Sequence, residues 1–416
     1  MLGINYHPEL TGIGKYTGEL ATWLANQGEE VVVVTAPPYY PEWKIHPSYS
    51  AVRFNKESLD GVTVIRCPLW VPRRPSGLAR ILHLASFAVS SSIASLCTGI
   101  RFRPDVVIVI EPPLFCSPVA LLLARITKAK SWLHIQDFEV DAAFELNILK
   151  SVRLRRWALR IESALMRSFN RVSTISEAML ARLDQKGVPR DQQILFGNWA
   201  DLEHLHPDPE AGKYFKEQLG LPVHQRVALY SGNLGEKQGV EIVVEAAKLL
   251  HQHSELTFVI CGSGAAESRL RQQAEGLSNL IFLPLQPKET FHQMLNAADI
   301  HLLPQRQDAA DLVMPSKLTG ILAVGGLVIA TALPETQVGR VVHIAGGRLT
   351  PPGDAKSFAE VILSVIDDPQ ASATARRLAF QYCQENLSKE NLLAGFLSEL
   401  KRLTPESTLY NRRILD

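Results

Sequence analysis

Cysteine is scarce and nowhere paired: Cys67, Cys97, Cys116, Cys261 and Cys383 lie scattered along the chain. None stands in a Cys-x-x-Cys pair or at zinc-ligand spacing. That excludes a zinc ribbon and a dithiol redox centre, and an odd, dispersed set is no disulfide framework. These read as buried thiols of a reducing compartment. An excess of charge of one sign is missing too. The formal net charge is +1, so nucleic acid is excluded as a bulk polyanionic partner. The N-terminus lacks a basic stretch followed by a long apolar run, so no cleavable signal is expected. What the sequence has is apolar substance, 46% against 20% charged, which suits a globular protein. A chain of 416 residues exceeds one ordinary core, so two domains are expected.

The stretch richest in chemistry is Asp311-Leu312-Val313-Met314-Pro315-Ser316-Lys317-Leu318, continuing to Ala330. It reads as loop, short helix, glycine stop and buried strand. Pro315 and Ser316 open the helix, with the Ser316 hydroxyl as a cap. Leu318, Ile321, Leu322 and Val324 form its apolar face, and Gly325-Gly326 ends it. Its first turn offers backbone N–H groups, the positive end of the helix dipole, a hydroxyl and the Lys317 ammonium. Together they suit a phosphate or diphosphate. Taken alone, a capped helix with a solvated lysine would read the same way.

Around this stretch the chain reads as two successive α/β sets. A very short strand, Met1–Tyr6, leads into a loop carrying Gly12 and Gly14. A helix from about Lys15 to Asn26 and a buried strand at Val31–Thr35 follow. The two glycines let backbone approach a ligand at a strand end, where α/β proteins hold one. The opening strand is short for a central one: either the true start lies upstream or the strand is simply short. Pro37–Trp43 is a rigid aromatic loop, for packing or for substrate contact. Strands are expected at Val62–Arg66, Val106–Ile110 and Ser131–Ile135. The last delivers His134 and Asp137 to the same edge, as polar contacts for a substrate or as a pair that orders the loop. A basic amphipathic helix at Arg153–Asn170 and a strand at Val172–Ser176 follow, with Ser176 capping the next helix, and Pro207 and Pro209 mark a linker.

The second set repeats the grammar. Val227–Ser231 is a strand, Gly232-Asn233-Leu234-Gly235-Glu236-Lys237-Gln238-Gly239 a glycine loop, and Val240–His251 a helix. Thr257–Cys261 runs into Gly262-Ser263-Gly264, with further strands at Leu280–Leu283 and Ile300–Leu303 and helices at Ala355–Ile366, Thr374–Glu385 and Lys389–Lys401. The expected domains are 1–205 and 206–385, with a helix and tail at 386–416 packing back on the first. Two such domains form a cleft, where small ligands bind.

Ile81–Ile100 contains no Asp, Glu, Lys or Arg and is flanked by Arg73, Arg74, Arg80, Arg101 and Arg103. It just reaches the roughly 20 residues of a spanning helix. Yet His83, Thr98 and a run of serines (Ser86, Ser90, Ser91, Ser92, Ser95) keep its hydropathy modest. A buried helix and a helix docked on a membrane through residues 73–103 both fit, the second with arginines at the headgroups. The strand–helix alternation on both sides weighs against a span.

Taken together, Gly3-Ile4-Asn5-Tyr6-His7-Pro8-Glu9 with Thr11-Gly12-Ile13-Gly14, His134-Ile135-Gln136-Asp137, the Tyr230–Gly239 loop and Pro315-Ser316-Lys317-Leu318 carry a resemblance nearly end to end. The chain resembles the GT-B glycosyltransferases of retaining family 4, and within them the colanic acid biosynthesis enzymes of enteric bacteria. The resemblance implies two Rossmann-like domains facing each other across a cleft. It implies a nucleotide-sugar donor in the second domain, GDP-fucose or a UDP-sugar, and a lipid-linked sugar acceptor near the first. Lys237 and Lys317 match the family's groups at the donor diphosphate, with Asp311, Ser316 and Leu318 in the same loop. Gly12 and Gly14 match the loop facing the diphosphate from across the cleft. Asp137 and His134 match the lining of the sugar and acceptor site, and Gly232, Asn233, Gly262 and Gly264 the donor-side loops. The implied setting is the cytoplasmic face of the membrane, with the enzyme peripherally bound.

Two positions depart from the family pattern. Many members have Arg where this chain has Asn233, which leaves more of the phosphate charge to Lys237 and Lys317. Many also carry a ribose-binding Glu where this helix reads Gly320-Ile321-Leu322-Ala323-Val324-Gly325. Asp308 or Asp311 stands near enough in sequence to replace the partner Glu. A helix N-terminus and two lysines stabilise the charge that develops on a departing diphosphate. No Asp-x-Asp triplet follows a strand, so no metal is required there and no cofactor is expected. A nucleotide-sugar epimerase of the same fold, using His7, His134, Asp137 and Glu139, and an inactive scaffold of a polysaccharide assembly complex are the alternatives. A dinucleotide dehydrogenase lacks the third glycine of its fingerprint and the acidic residue after the second strand.

Overall fold

The structure, a computed structural model, describes residues 1–9, 12–40, 42–73, 77–141, 152–235, 238–306 and 316–404. The chain divides into two compact units, Met1–Asn198 with Leu393–Asp416, and Trp199–Leu392. Trp199 opens the second unit because Ala200 N donates to Leu387 O, 2.8 Å away.

The first unit holds strands β1 (Val32–Thr35), β2 (Asn55–Leu59), β3 (Val62–Arg66), β4 (Val106–Glu111), β5 (Lys130–Ile135), β6 (Arg171–Thr174) and β7 (Gln193–Leu195), most of them apolar, β-branched runs. They pair in the orders β1-β3-β2 and β4-β5-β6-β7. All pairs are parallel except β2 with β3. Leu2 joins the two groups by bridging Val34 on one side and Val109 on the other. The strand read at Met1–Tyr6 is thus reduced to one bridging residue. Its backbone bonds to the neighbours persist, Leu2 N to Ile108 O at 2.8 Å and Gly3 N to Val34 O at 3.2 Å. Toward Met1, a cavity of about 660 Å³ opens between β1 and β4, with Val32, Val106, Leu123 and Leu400 in its lining.

The uncharged stretch forms the helix Gly77–Phe102. His83, Phe87, Ser91, Ala94, Ser95 and Gly99 are buried along one side, at helical spacing. Leu78, Leu82, Val89, Ile93 and Ile100 are exposed. Its serines bind nearby backbone: Ser90 Oγ donates to Pro68 O at 2.6 Å and Ser86 Oγ accepts from Trp70 N at 3.1 Å. The aromatic loop packs on this helix, with the Tyr39 ring 4.8 Å from His83 and Trp43 5.3 Å from it. Tyr39 and Trp43 thus pack on the helix, while Tyr40 is exposed.

The second unit holds β8 (Arg226–Ser231), β9 (Leu256–Cys261), β10 (Leu280–Leu283), β11 (Ile300–Leu303), β12 (Val328–Thr331) and β13 (Arg348–Thr350). They form one all-parallel sheet in the order β10-β9-β8-β11-β12-β13. Such a sheet is buried on both faces, and β9 and β12 are accordingly buried along their whole length. Pro209 opens a helix, Pro209–Gln218, rather than marking a linker. Asp208 caps it, Oδ1 accepting from Ala211 N at 3.0 Å. The last helix, Lys389–Leu403, brings Phe396 into the first unit, stacked on Phe196 at 4.5 Å and tilted on Trp132 at 4.6 Å.

Candidate functional site

The strand order of the second unit reverses between β8 and β11. α/β sheets hold ligands beyond the carboxyl ends of their strands at such a switch point. Tyr230-Ser231-Gly232 leaves β8 there, Cys261-Gly262-Ser263-Gly264 leaves β9, and the helix Ser316–Ala323 supplies Lys317 in its first turn.

Lys317 Nζ donates to Gln238 Oε1 at 2.8 Å and to the Tyr230 hydroxyl at 2.9 Å, and lies 4.6 Å from the Tyr230 ring centre. The Tyr230 hydroxyl donates on to Asn233 O at 2.7 Å. These partners are all neutral, and among the described residues no carboxylate pairs with Lys317. Burial lowers the ammonium from its ordinary 10.5 to about 8. At neutral pH it is therefore a cation that, among the described residues, is held by dipoles, in a place where an anion would be strongly favoured.

Two glycines make this packing possible. Gly232 and Gly262 both adopt φ near +147°, a region that favours glycine. A Cβ on Gly262 would lie 1.9 Å from Gly232 O, and one on Gly232 would lie 2.5 Å from Lys317 Cε. The β8 and β9 loops thus touch backbone to backbone, and the lysine stem lies across Gly232. Leu234 N donates to Ser263 O at 2.9 Å, which ties the loops together. A Cβ on Gly264 would meet Leu234 O at 2.5 Å and Asn233 Oδ1 at 2.7 Å. Leu318 is wholly buried and anchors the helix in the core. Gly232, Asn233, Gly262, Gly264 and Lys317 are therefore brought together. Lys237, Asp308 and Asp311 lie outside the described residues, and Ser316 is the first residue of the helix.

The first unit treats its expected site residues differently. Gly12 and Gly14 belong to the first turn of the helix Gly12–Asn26, not to a loop before it. The space beside Gly14 is taken by Glu9, whose Oε2 would lie 2.7 Å from a Cβ there. Glu9 in turn accepts from Tyr39 N and Tyr40 N at 3.1 Å and from Asn5 Nδ2 at 2.8 Å. Gly14 thus seats a buried carboxylate. His134 is buried in β5 with both ring nitrogens engaged, Nδ1 with Ser173 Oγ and Nε2 with Gln136 Nε2, each at 2.9 Å. Burial pulls its pKa down to about 3, so the ring is neutral. It fixes Gln136, which exchanges two amide hydrogen bonds of 3.0 Å with Asn198. Asp137, next in the chain, is exposed.

Of an acidic group in this unit, the sequence reading singled out Glu139 alone. Glu111, Glu139, Glu162 and Asp141 gather near Lys186, whose Nζ pairs with Glu162 and, at 3.0 Å, with Asp141 Oδ2. Glu111 is wholly buried in this group. Burial, then the charges of Glu162 and Glu139, push Glu111 well above the usual carboxylate range. Burial also raises Glu139 to about 7. Glu111, Glu162 and Lys186 are far from Glu139 and Asp141 in sequence, so no local spacing announces the group.

Two family models cover most of the chain, the glycosyl transferase 4-like domain over residues 11–199 and glycosyl transferases group 1 over residues 213–381. The chain is 42% identical over 407 residues to the colanic acid biosynthesis glycosyl transferase WcaI of Escherichia coli, covering 96% of this chain and 98% of that one. Among solved structures, sucrose-phosphate synthase of Thermosynechococcus elongatus matches with a TM-score of 0.71 at 18% identity, over 97% of this chain and 98% of the other. HepE of Anabaena, solved in complex with UDP, matches with a TM-score of 0.68 at 16% identity, over 96% and 99%. The structural likenesses establish the GT-B fold, and the sequence likeness runs through both units. The chain belongs to the GT-B glycosyltransferase family that includes the colanic acid enzyme, and it is a glycosyltransferase.

Proposed function

We propose that the chain transfers a sugar, with retention, from a nucleotide-sugar to a lipid-linked oligosaccharide in the assembly of a colanic acid-like exopolysaccharide. The observation that carries this reading is the buried Lys317 ammonium at the strand switch point, whose partners among the described residues are neutral. In the transfer, the bond from the anomeric carbon to the diphosphate oxygen breaks. The acceptor oxygen bonds that carbon from the same face, and its proton passes to the departing diphosphate. Lys317 and the first turn of its helix meet the charge that develops on the leaving group. Lys237 is assigned to the same diphosphate from the family pattern. The likeness to the colanic acid enzyme of E. coli supports the exopolysaccharide, and the UDP complex of HepE supports a nucleotide-bearing donor. The donor is GDP-fucose or a UDP-sugar.

The enzyme works at the inner face of the cytoplasmic membrane, docked by its exposed Leu82, Val89 and Ile93 and by flanking arginines such as Arg73 and Arg101. Replacing those three apolar residues by Ser is expected to abolish co-sedimentation with anionic vesicles, and unchanged binding would discard this surface.

The test of the central reading is thermal stabilisation of the purified protein by GDP and UDP side by side. A ligand at about a hundred times its dissociation constant adds roughly 2.7 kcal/mol. A preference for one base identifies the donor class. No shift with any nucleoside diphosphate would defeat the transferase site and favour the scaffold. Turnover of the nucleotide-sugar to its epimer without acceptor would favour the epimerase.

A further inference from the structure

Away from the β8 and β9 loops, the second unit brings together two histidines and an aspartate that the transfer reaction does not use. His206 and Asp208 precede and cap the helix Pro209–Gln218, and His292 lies on the helix Lys288–Ala297. One ligating atom from each lies within 4.8 Å of the other two. His292 Nε2 stands 3.5 Å from Asp208 Oδ2, and the two imidazole rings are 4.8 Å apart. At 3.5 Å the first pair is at the outer limit of a hydrogen bond. It is also close to the edge, about 3.4 Å, of a tetrahedron with ligands at zinc distances.

The scaffold beneath these groups is already fixed. Asn296 Oδ1 accepts from Asp208 N at 2.7 Å, while Asn296 Nδ2 donates to His206 O and to His292 O, each at 3.1 Å. The two helices touch at Gly212, where a Cβ would stand 2.4 Å from Asn296 O. Asp208 spends Oδ1 on its helix cap, which orients the carboxylate and leaves Oδ2 toward His292. His206 is exposed, which gives an ion its route from solvent.

We propose that His206, Asp208 and His292 form a site for one divalent transition-metal ion of borderline softness, such as zinc. Two imidazoles and a carboxylate suit such an ion better than magnesium or calcium, which prefer all-oxygen shells. Three protein ligands leave a fourth position for water. The ion clips the segment before the helix Pro209–Gln218 to the helix Lys288–Ala297, apart from the donor chemistry.

The test uses the full-length, untagged protein stripped with EDTA and titrated with Co²⁺, read by its visible d–d bands, and with Zn²⁺ by calorimetry. The expected result is one equivalent per chain with the intense bands of a tetrahedral cobalt site. His292→Ala and His206→Ala each remove that binding. Asp208→Asn, which keeps an oxygen for the cap, weakens it at least tenfold. Far-ultraviolet circular dichroism of the metal-free variants checks that they fold. Absence of saturable binding in the wild type, or binding unchanged in both folded histidine variants, overturns the site.

Discussion

Lys317→Met separates the two demands on this lysine, because it removes the charge and keeps most of the stem. The fall from 10.5 to about 8 means that keeping the ammonium in the fold at neutral pH costs roughly 3 kcal/mol. Methionine removes that cost and forfeits two hydrogen bonds to neutral acceptors, worth about 1 kcal/mol each. The variant should therefore be more stable by about 1 kcal/mol, a rise of about 2–4 °C in the melting of a unit this size. Catalysis moves the other way. Losing one preorganised charge at the departing diphosphate costs about 3–4 kcal/mol, or roughly 100- to 1000-fold in kcat. Calorimetric melting and nucleoside diphosphate release, measured on the same preparations, test both arms. A variant that melts below the wild type and transfers sugar at the wild-type rate would refute the reasoning, because Lys317 would then be structural.

Three further outcomes follow from the same geometry. Free Lys317 begins to lose its proton as pH rises through about 8, and a bound diphosphate favours the charged form. Nucleotide binding near pH 8 should therefore take up protons and weaken at higher pH, seen by calorimetry in buffers of different ionisation enthalpy; no uptake at pH 8 contradicts it. Gly262→Ala forces a Cβ to 1.9 Å from Gly232 O and should lose about 3 kcal/mol or more in denaturant unfolding. Gly395→Ala, on the exposed side of a helix with open space around it, should gain up to about 1 kcal/mol, and equal effects would deny the loop contact. Glu111→Gln removes a carboxyl whose native pKa is raised. The wild type loses stability as pH climbs from the ordinary 4.5 toward that raised value, so the variant's advantage in Tm should be larger at pH 8 than at pH 5. A constant offset would show that Glu111 does not titrate as its burial demands.

Much of the fold was legible where its signals are local. β10 and β11 begin and end where their apolar runs do. Ser176 caps its helix through Met179 N, as a serine before such a run predicts. The helix carrying Lys317 starts at Ser316, and the glycine loops leave the strand ends expected of them. What escaped depends on partners rather than on a segment's own pattern. Asn-Lys-Glu-Ser-Leu has no strand pattern, and β2 exists because it pairs with β3. Pro209 read as a break because its meaning rests on Asp208 acting as a cap. His134 read as a candidate for chemistry, but Ser173 and Gln136 consume both of its nitrogens. The acidic group around Lys186 and the cluster at His292 are assembled by the fold alone.

The placement of Phe396 bears on how the chain is made. The first unit closes part of its core with a side chain that leaves the ribosome only after the entire second unit has been translated. Until then Trp132 and Phe196 lack one ring of their stack, and the nascent first unit must wait with that surface open. At elongation rates of about 5–20 residues per second the delay is on the order of tens of seconds, long against the microsecond-to-second folding of small domains. A fragment ending at Asn198 should for the same reason be a poor folding unit, whereas a circular permutant that joins the last helix directly to Met1 should complete its core in one continuous pass.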